Sequence, residues 1–189
     1  IFESAKNDFK EVTFYFYEQT ENPEIANFLK IDYWTTIAVY KNNKEIARKM
    51  GLTNKKAEGD LKTPRGSFNF KYLMYRSDRV NNIQTKLKKI KIEKKFGWCD
   101  DTSSNDYNKL IQFPFKKKAE RLYLKENIYD LILVMSYNMN PILKNKGSAI
   151  FLHLANKKFG STKGCIAIKK KDFLKILPSI NKKTKIFIF

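Results

Sequence analysis

Residues 148–166 read SAIFLHLANKKFGSTKGCI, and this stretch is the most informative part of the chain. Its apolar start is typical of a buried strand, and that strand carries His153, the only histidine of the chain. The polar segment that follows ends in Gly164 and Cys165, and a second short apolar run begins at Ile166. An imidazole, a thiol and a glycine-cornered turn therefore lie in one short segment.

Cys165 and His153 have the chemistry of a nucleophile and its base. A cysteine attacks as a thiolate, which a neighbouring imidazole produces by taking the proton, and the reaction needs backbone N–H groups that bind an oxyanion. Gly164, directly before the cysteine, suits the second requirement. The alternative is structural, since a lone histidine and a buried cysteine are most often packing residues.

Two motifs resemble a known family. The segment STKGCI at residues 161–166, after an upstream strand with a histidine, resembles the signature of the YkuD-type L,D-transpeptidases, in which Ser or Thr, His and Gly precede the nucleophilic cysteine. The segment EGDLKTPRGSF at residues 58–68 is similar to that family's G-D-x-x-T-P-x-G-x-F/Y hairpin. The resemblance covers roughly residues 33–189 and extends to the small, lysine-rich proteobacterial members, which residues 97–101, 137–138 and 147–150 also resemble.

The resemblance implies a fold and a domain organisation. The expected fold is mainly β, a twisted β-sandwich with one or two short helices and with the cysteine and histidine at one end of a groove. Residues 31–189 would form the L,D-transpeptidase catalytic domain. Residues 1–30 would form an N-terminal extension packed on it.

The resemblance also implies roles for single residues. Cys165 would be the nucleophile and His153 its base, and the backbone N–H groups of Lys163, Gly164 and Cys165 would hold the oxyanion, at about 3 kcal/mol per donor. The residues expected to bind the substrate are Ser161, Thr162, Trp98, Asp100, Tyr137 and Asn138. The family reaction needs no metal and no organic cofactor.

The reaction implied is that of a peptidoglycan L,D-transpeptidase. A stem peptide would form a thioester with the cysteine and then be transferred to an amine of a second stem peptide. Water in place of the amine would give L,D-carboxypeptidase trimming. The alternative from another class is a non-catalytic basic domain that binds an anionic polymer and whose Cys165 is structural.

Three positions depart from the common family pattern. Lys163 stands where a second histidine is frequent, Ala167 where Arg or Asn is frequent, and Leu154 where Gly usually follows the first histidine. These departures leave the nucleophile and the base in place. They concern how the substrate is held and which backbone carbonyl orients the imidazole.

The net charge of +19 needs an explanation. A basic chain suggests nucleic acid, but most of the basic residues are lysines in separate stretches, whereas base and phosphate recognition favours the arginine fork. We therefore expect stem peptides as partners, no nucleic acid, and a monomer. Electrostatic attraction to an anionic wall or membrane surface is a further interpretation, and a compositional bias explains the lysines equally well.

The two cysteines bear on disulfide and metal binding, and the implied substrate bears on location. A disulfide between Cys99 and Cys165 would remove the nucleophile, so we expect two free thiols, with Cys99 buried or lining the site. One histidine and two distant cysteines lack the spacing of a zinc site. The substrate class implies a periplasmic or cell-envelope location, with secretion as the alternative.

Periodicity predicts the main elements. Alternation and turn residues predict a hairpin over residues 33–50 and strands over residues 67–73, 130–137 and 185–189. The spacing of Phe173, Leu174 and Leu177 predicts one amphipathic helix over residues 170–177.

Three segments between these elements bear on the site. Residues 76–95 are interpreted as a surface connection, with a loop over the active site as the alternative. Residues 100–106 are interpreted as a solvated turn rather than a calcium site. The hairpin at residues 59–66 is expected to pack under the strand of His153, close to Cys165.

Overall fold

The computed structural model describes residues 36–41, 44–50, 52–53, 55–157 and 160–188, with side chains from residue 55 onward. The predicted extension at residues 1–30 lies outside these residues. The predicted hairpin is present as two antiparallel strands. In chain order, the strands are β1 (Thr36–Lys41), β2 (Lys44–Met50), β3 (Leu52–Thr53), β4 (Thr63–Pro64), β5 (Gly66–Tyr75), β6 (Lys89–Lys91), β7 (Phe96–Cys99), β8 (Leu110–Gln112), β9 (Ala119–Arg121), β10 (Leu131–Met135), β11 (Phe151–Leu154), β12 (Ile166–Ile168) and β13 (Lys185–Ile188).

The main sheet of the described residues has the strand order β12-β11-β10-β5-β13, and β6 pairs with β5 beside this path. The pairs β11–β12 and β5–β6 are parallel, and the others are antiparallel. β5 is long enough to pair with β13 through its first half and with β10 through its second half. The continuous apolar run of β10 is buried along its whole length, as expected for a central strand covered on both faces.

One face of the main sheet is closed by the helix α1 (Lys170–Ile176) and the 3₁₀ helix Leu177–Ser179. Phe173 and Leu177 are fully buried there, as the helical spacing predicted. The prediction for Leu174 was wrong, because this side chain is 38% exposed. The helix is short and contacts the sheet through a narrow apolar stripe. Leu174 follows Phe173 directly and lies outside this stripe.

The segment between β5 and β7 packs on this same face. Val80, Ile83 and Leu87 are buried in the aliphatic core with α1, and residues 89–91 form β6. These side chains lie on the face opposite Cys165, which belongs to the other core cluster. The structure thus favours the surface connection over the loop across the active site.

The second face of the main sheet is covered by a three-stranded sheet, β8-β7-β9, and by the 3₁₀ helix Asn127–Tyr129. Trp98 of β7 and Tyr129 pack there against Phe151 of β11. The two sheets form a β-sandwich, and the prediction of a mainly β fold with one short α-helix is confirmed. Cys165 is part of this second core.

Among the described residues, we find no helix with the length and apolar composition needed to cross a membrane.

Candidate active site

The thiol of Cys165 lies between two backbone groups of the strand segment that precedes His153. Its sulfur is 3.0 Å from the carbonyl oxygen of Ala149, to which the S–H donates, and 3.4 Å from the nitrogen of Phe151, whose N–H donates to the sulfur. The side chain is 7% exposed. A thiolate would keep the hydrogen bond from the N–H of Phe151 but would be repelled by the carbonyl oxygen of Ala149. Formation of the thiolate therefore requires a nearby base that takes the thiol proton.

The turn before Cys165 is fixed by the segment that carries the second motif. Gly164 has a φ of +113°, and a Cβ there would lie 2.7 Å from the carbonyl oxygen of Lys62, so only glycine fits. The hydroxyl of Thr63, which is fully buried, donates to the carbonyl of Gly164 at 2.8 Å. The hydroxyl of Thr162 donates to the carbonyl of Cys165. Within the 59–66 segment, Lys62 and Thr63 therefore contact the turn that carries Cys165, whereas Gly66 pairs with Ile188 of β13.

The loop before Thr63 is held by its own carboxylate. Partial burial opposes ionisation, but hydrogen bonds from Lys56 and from the N–H groups of Ala57 and Lys62 hold the pKa of Asp60 below its usual range. Glu58 fastens the same loop to the rest of the site, since it accepts a hydrogen bond from the hydroxyl of Tyr107 at 2.5 Å. The loop that contacts Gly164 is thus fixed to the sandwich by hydrogen bonds.

His153 is held by the residue that follows it. Its Nδ1 lies 2.9 Å from the carbonyl oxygen of Leu154, and a carbonyl only accepts, so Nδ1 carries the hydrogen and Nε2 keeps a lone pair. Leu154 thus supplies the orienting carbonyl although it replaces the usual glycine. By strand alternation His153 lies on the same face as Phe151, and its ring packs on the ring of Tyr129 in a T-shaped arrangement with 5.2 Å between centroids. Imidazole and thiol therefore share the face covered by the small sheet.

The other predicted site residues lie at several places around this pair. Ser161 and Lys163 are exposed on the cysteine turn. Trp98 is 1% exposed, and its ring packs against Phe151 in a T-shaped arrangement. Asp100 forms an ion pair with Lys118 at 3.0 Å, and its Oδ1 is buried without a hydrogen-bond partner.

Tyr137 and Asn138 lie on the loop between β10 and β11. The hydroxyl of Tyr137 donates to the carbonyl of Lys146. The amide of Asn138 bonds Leu143 and Gly147 across the loop. Their polar groups build the loop in this structure, and their contact with a substrate stays a prediction.

The comparison with protein families assigns most of the chain. The family model for YkuD, the L,D-transpeptidase catalytic domain, matches residues 27–188. The chain belongs to the YkuD family. No curated protein and no solved structure matches it.

A YkuD domain is a catalytic L,D-transpeptidase domain and acts on peptidoglycan peptides. Within the described residues, neither cysteine forms a disulfide, and no group of three His, Cys, Asp or Glu side chains is placed to hold a metal ion.

Sequence reasoning missed Asn108, which links the two sheets of the YkuD domain beside the thiol. Its Oδ1 accepts from the indole N–H of Trp98 at 2.9 Å and from the N–H of Ala149 at 3.1 Å, and its Nδ2 donates to the carbonyls of Tyr137 and Asn138. Asn108 thereby holds Ala149, at a φ of +51°, with its carbonyl on the sulfur of Cys165. A polar loop residue gave no local signal for this role.

Sequence reasoning also missed a pair in the wall of the site, Glu120 and Tyr129. The hydroxyl of Tyr129 donates to Oε1 of Glu120 at 2.8 Å. Burial raises the pKa of the Tyr129 phenol, and the neighbouring Cys165 and Glu120 raise it further, so the hydroxyl stays protonated. The only sequence signal was a single acidic residue between the lysines at 116–118 and Arg121.

Proposed function

We propose that this YkuD domain is a peptidoglycan L,D-transpeptidase that works through a thioester on Cys165. The observation that carries the proposal is the arrangement around the sulfur, where a backbone N–H of Phe151 contacts the thiol and an imidazole that the carbonyl of Leu154 holds at Nδ1 lies on the same face of the sheet. A purely structural cysteine has no use for an imidazole fixed in the tautomer that accepts a proton.

In the first half of the reaction, the thiol passes its proton to His153 and the sulfur attacks a carbonyl carbon of the stem peptide. Backbone N–H groups of the turn at Lys163, Gly164 and Cys165 hold the oxyanion, each worth about 3 kcal/mol. On collapse the C–N bond breaks, the leaving amine takes the proton from His153, and the acyl group remains on the sulfur.

In the second half, an amine of another stem peptide attacks the thioester. His153 takes a proton from this amine and returns it to the departing sulfur, which gives a cross-link. Water in the same position gives a free carboxylate, so L,D-carboxypeptidase trimming shares the acyl-enzyme and differs in the acceptor alone. Ala167 lies on β12, in register with His153 of β11. Its methyl group offers no polar contact to the substrate at a position where relatives often carry Arg or Asn.

The setting follows from the substrate class. We propose a monomer in the periplasm or cell envelope, where stem peptides are accessible, with secretion as the alternative. The net charge of +19 supports electrostatic association with an anionic wall or membrane surface. A basic domain without catalysis would bind such polymers equally well but would form no acyl-enzyme.

The test compares the wild type with three variants of the two cysteines. Wild-type protein is incubated with a tetrapeptide muropeptide and, separately, with a carbapenem, and intact mass reports the acyl adduct. We expect adducts in the wild type and in Cys99→Ala, and none in Cys165→Ala. Turnover of muropeptides should be lost in Cys165→Ala and in Cys165→Ser, since a serine hydroxyl is a weak nucleophile at neutral pH.

The matched control is Cys99→Ala, because Cys99 is fully buried in β7 and its thiol lies 3.9 Å from the carbonyl of Asp101. Circular dichroism checks that all three variants keep the fold. Muropeptide turnover in a folded Cys165→Ala protein contradicts the mechanism. A wild type that shows neither an adduct nor turnover favours the non-catalytic alternative.

A further inference from the structure

Glu120 of β9 is a half-buried carboxylate next to Tyr129, on the side of the main sheet that also carries Cys165, and only one of its two oxygens accepts a hydrogen bond in the described residues. Oε1 accepts the hydroxyl of Tyr129. Across the described part of the chain, Oε2 has no hydrogen bond and no ion pair, and the buried unpartnered oxygens there belong to Asp100 and Ser148 instead. Oε2 is therefore accessible to solvent.

The position of Glu120 is fixed by the strands and by Tyr129. Glu120 of β9 lies opposite Trp98 of β7, and cross-strand partners project to the same face of a sheet. That face packs on β11, where the rings of Tyr129 and His153 pack in a T-shaped arrangement. Tyr129 interacts electrostatically with both Cys165 and Glu120. One aromatic side chain thus separates Glu120 from the nucleophile and its base.

The charge of Glu120 lacks a counter-ion in a very basic protein. The neighbouring carboxylate, Asp100, is paired with Lys118 at 3.0 Å, whereas no lysine or arginine of the described residues lies within ion-pair distance of Glu120. Lys163 on the cysteine turn is near enough to influence it electrostatically. A partly buried carboxylate without a cation is costly, and a bound cation removes that cost.

We propose that Glu120 is a specificity-determining residue that binds a primary ammonium group of the acceptor at Oε2. This inference rests on the proposed transpeptidase function, because an acceptor amine exists only if the thioester is transferred. An ammonium held at Oε2 lies on the wall beside the thioester, where His153 takes its proton before the nitrogen attacks. Water gains nothing from Glu120, so the carboxylate favours cross-linking over hydrolysis.

The experiment measures how the acyl-enzyme divides between transfer and hydrolysis. A tetrapeptide muropeptide is the donor, and two small acceptors are titrated: glycinamide, which carries an ammonium, and methoxyamine, which is uncharged at neutral pH. In Glu120→Gln, we expect half-maximal transfer to glycinamide to need about ten- to a hundredfold more acceptor, as loss of a charged hydrogen bond predicts. Transfer to methoxyamine should change less than about twofold.

Two further variants keep the result interpretable. Asp106→Asn removes a carboxylate that is 53% exposed and lies 4.0 Å from Lys109, and it should leave both titrations unchanged. Glu120→Asp keeps the charge and should retain part of the preference for glycinamide. The rate of Cys165 acylation by a carbapenem shows whether each variant has a folded site.

The outcomes separate the two proposals. If the wild type forms no acyl-enzyme, the proposed function fails. If it does, and Glu120→Gln keeps the wild-type preference for glycinamide or loses both acceptors equally, the role of Glu120 alone is overturned.

The pH dependence gives a second readout. Burial raises the pKa of Glu120 above its ordinary 4.5; Asp100 raises it further, and Tyr129, Lys163 and Lys118 oppose the rise. A protonated carboxyl binds ammonium poorly, so the advantage of the wild type over Glu120→Gln should disappear as pH falls through this raised pKa. An advantage that persists unchanged below pH 4.5 contradicts the proposal.

Discussion

The two faces of the main sheet bury very different side chains although they belong to the same strands. On the face under α1, β10 and β11 contribute only aliphatic and thioether side chains, namely Leu131, Leu133, Met135, Leu152 and Leu154. On the other face, β11 presents Phe151 and His153 to Trp98 and Tyr129. Strand alternation places the two sets back to back.

The difference separates stability from chemistry. The aliphatic face needs only close packing, and each large side chain there contributes a few kcal/mol. On the aromatic face, three ring pairs meet edge to face, each worth about 0.5–1.5 kcal/mol, and every buried polar group needs a partner. Asn108 and Glu120 supply such partners to Trp98 and Tyr129. We therefore expect substitutions on the aliphatic face to change the free energy of unfolding and substitutions on the aromatic face to change turnover.

The largest effect is expected on the aromatic face. His153→Gln removes the base but keeps a polar side chain, so turnover of muropeptides should fall about a hundredfold to ten-thousandfold with little change in melting temperature. The pH profile of Cys165 alkylation by iodoacetamide should also change, measured in a Cys99→Ala background so that one thiol is counted. Identical profiles with and without the imidazole would mean that His153 is not the partner of Cys165.

On the aliphatic face, Leu133→Ala should lower the free energy of unfolding by about 2–5 kcal/mol, because a fully buried side chain leaves a cavity. Turnover per folded molecule should stay near the wild-type value. Leu174→Ala is the matched control: this leucine is exposed, so the change should be within about 0.5 kcal/mol. Denaturant unfolding measures both, and equal losses would remove the distinction between the two leucines.

The smallest effect is expected at Gly164, in the turn between Cys165 and the motif at residues 58–68. Gly164→Ala should cost about 1–3 kcal/mol more than Gly59→Ala. Both glycines have positive φ, at +113° and +75°, but only the Cβ at position 164 meets a backbone oxygen, whereas none of the described atoms lies within 4 Å of a Cβ at 59. Gly164→Ala should also lower turnover, because the turn bears Cys165. Equal costs in urea titrations would show that backbone strain alone, without the clash, sets the penalty.

Much of the fold was predictable because it depends on local pattern. The apolar run of β10, the strand that bears His153 and the final strand were expected at nearly the observed bounds. The helix at 170–176 was expected as well, but Leu174 was assigned to the wrong side. A seven-residue helix has two turns, so its spacing defines the buried stripe too coarsely for one residue.

The candidate site was predictable only in part. The resemblance indicated Cys165, His153 and the Gly59–Gly66 segment, which are read from short motifs. Asn108, Glu120 and Tyr129 were missed because each acts on a residue distant in sequence, and no periodicity links such positions. Leu154 shows the same limit, since its carbonyl orients the imidazole through the backbone and any residue type supplies it.

Most strands, the family and the candidate nucleophile and base were predictable from the amino-acid sequence, because alternation and motif spacing are properties of neighbouring residues. The surroundings of these residues depend on contacts between distant segments: the carbonyl of Ala149 on the thiol, the amide of Asn108 on Ala149, and the hydroxyl of Tyr129 on Glu120. Hydrogen bonds and ring contacts require distances of a few ångströms. The register between β7, β9, β10 and β11 sets those distances, and no single segment encodes it.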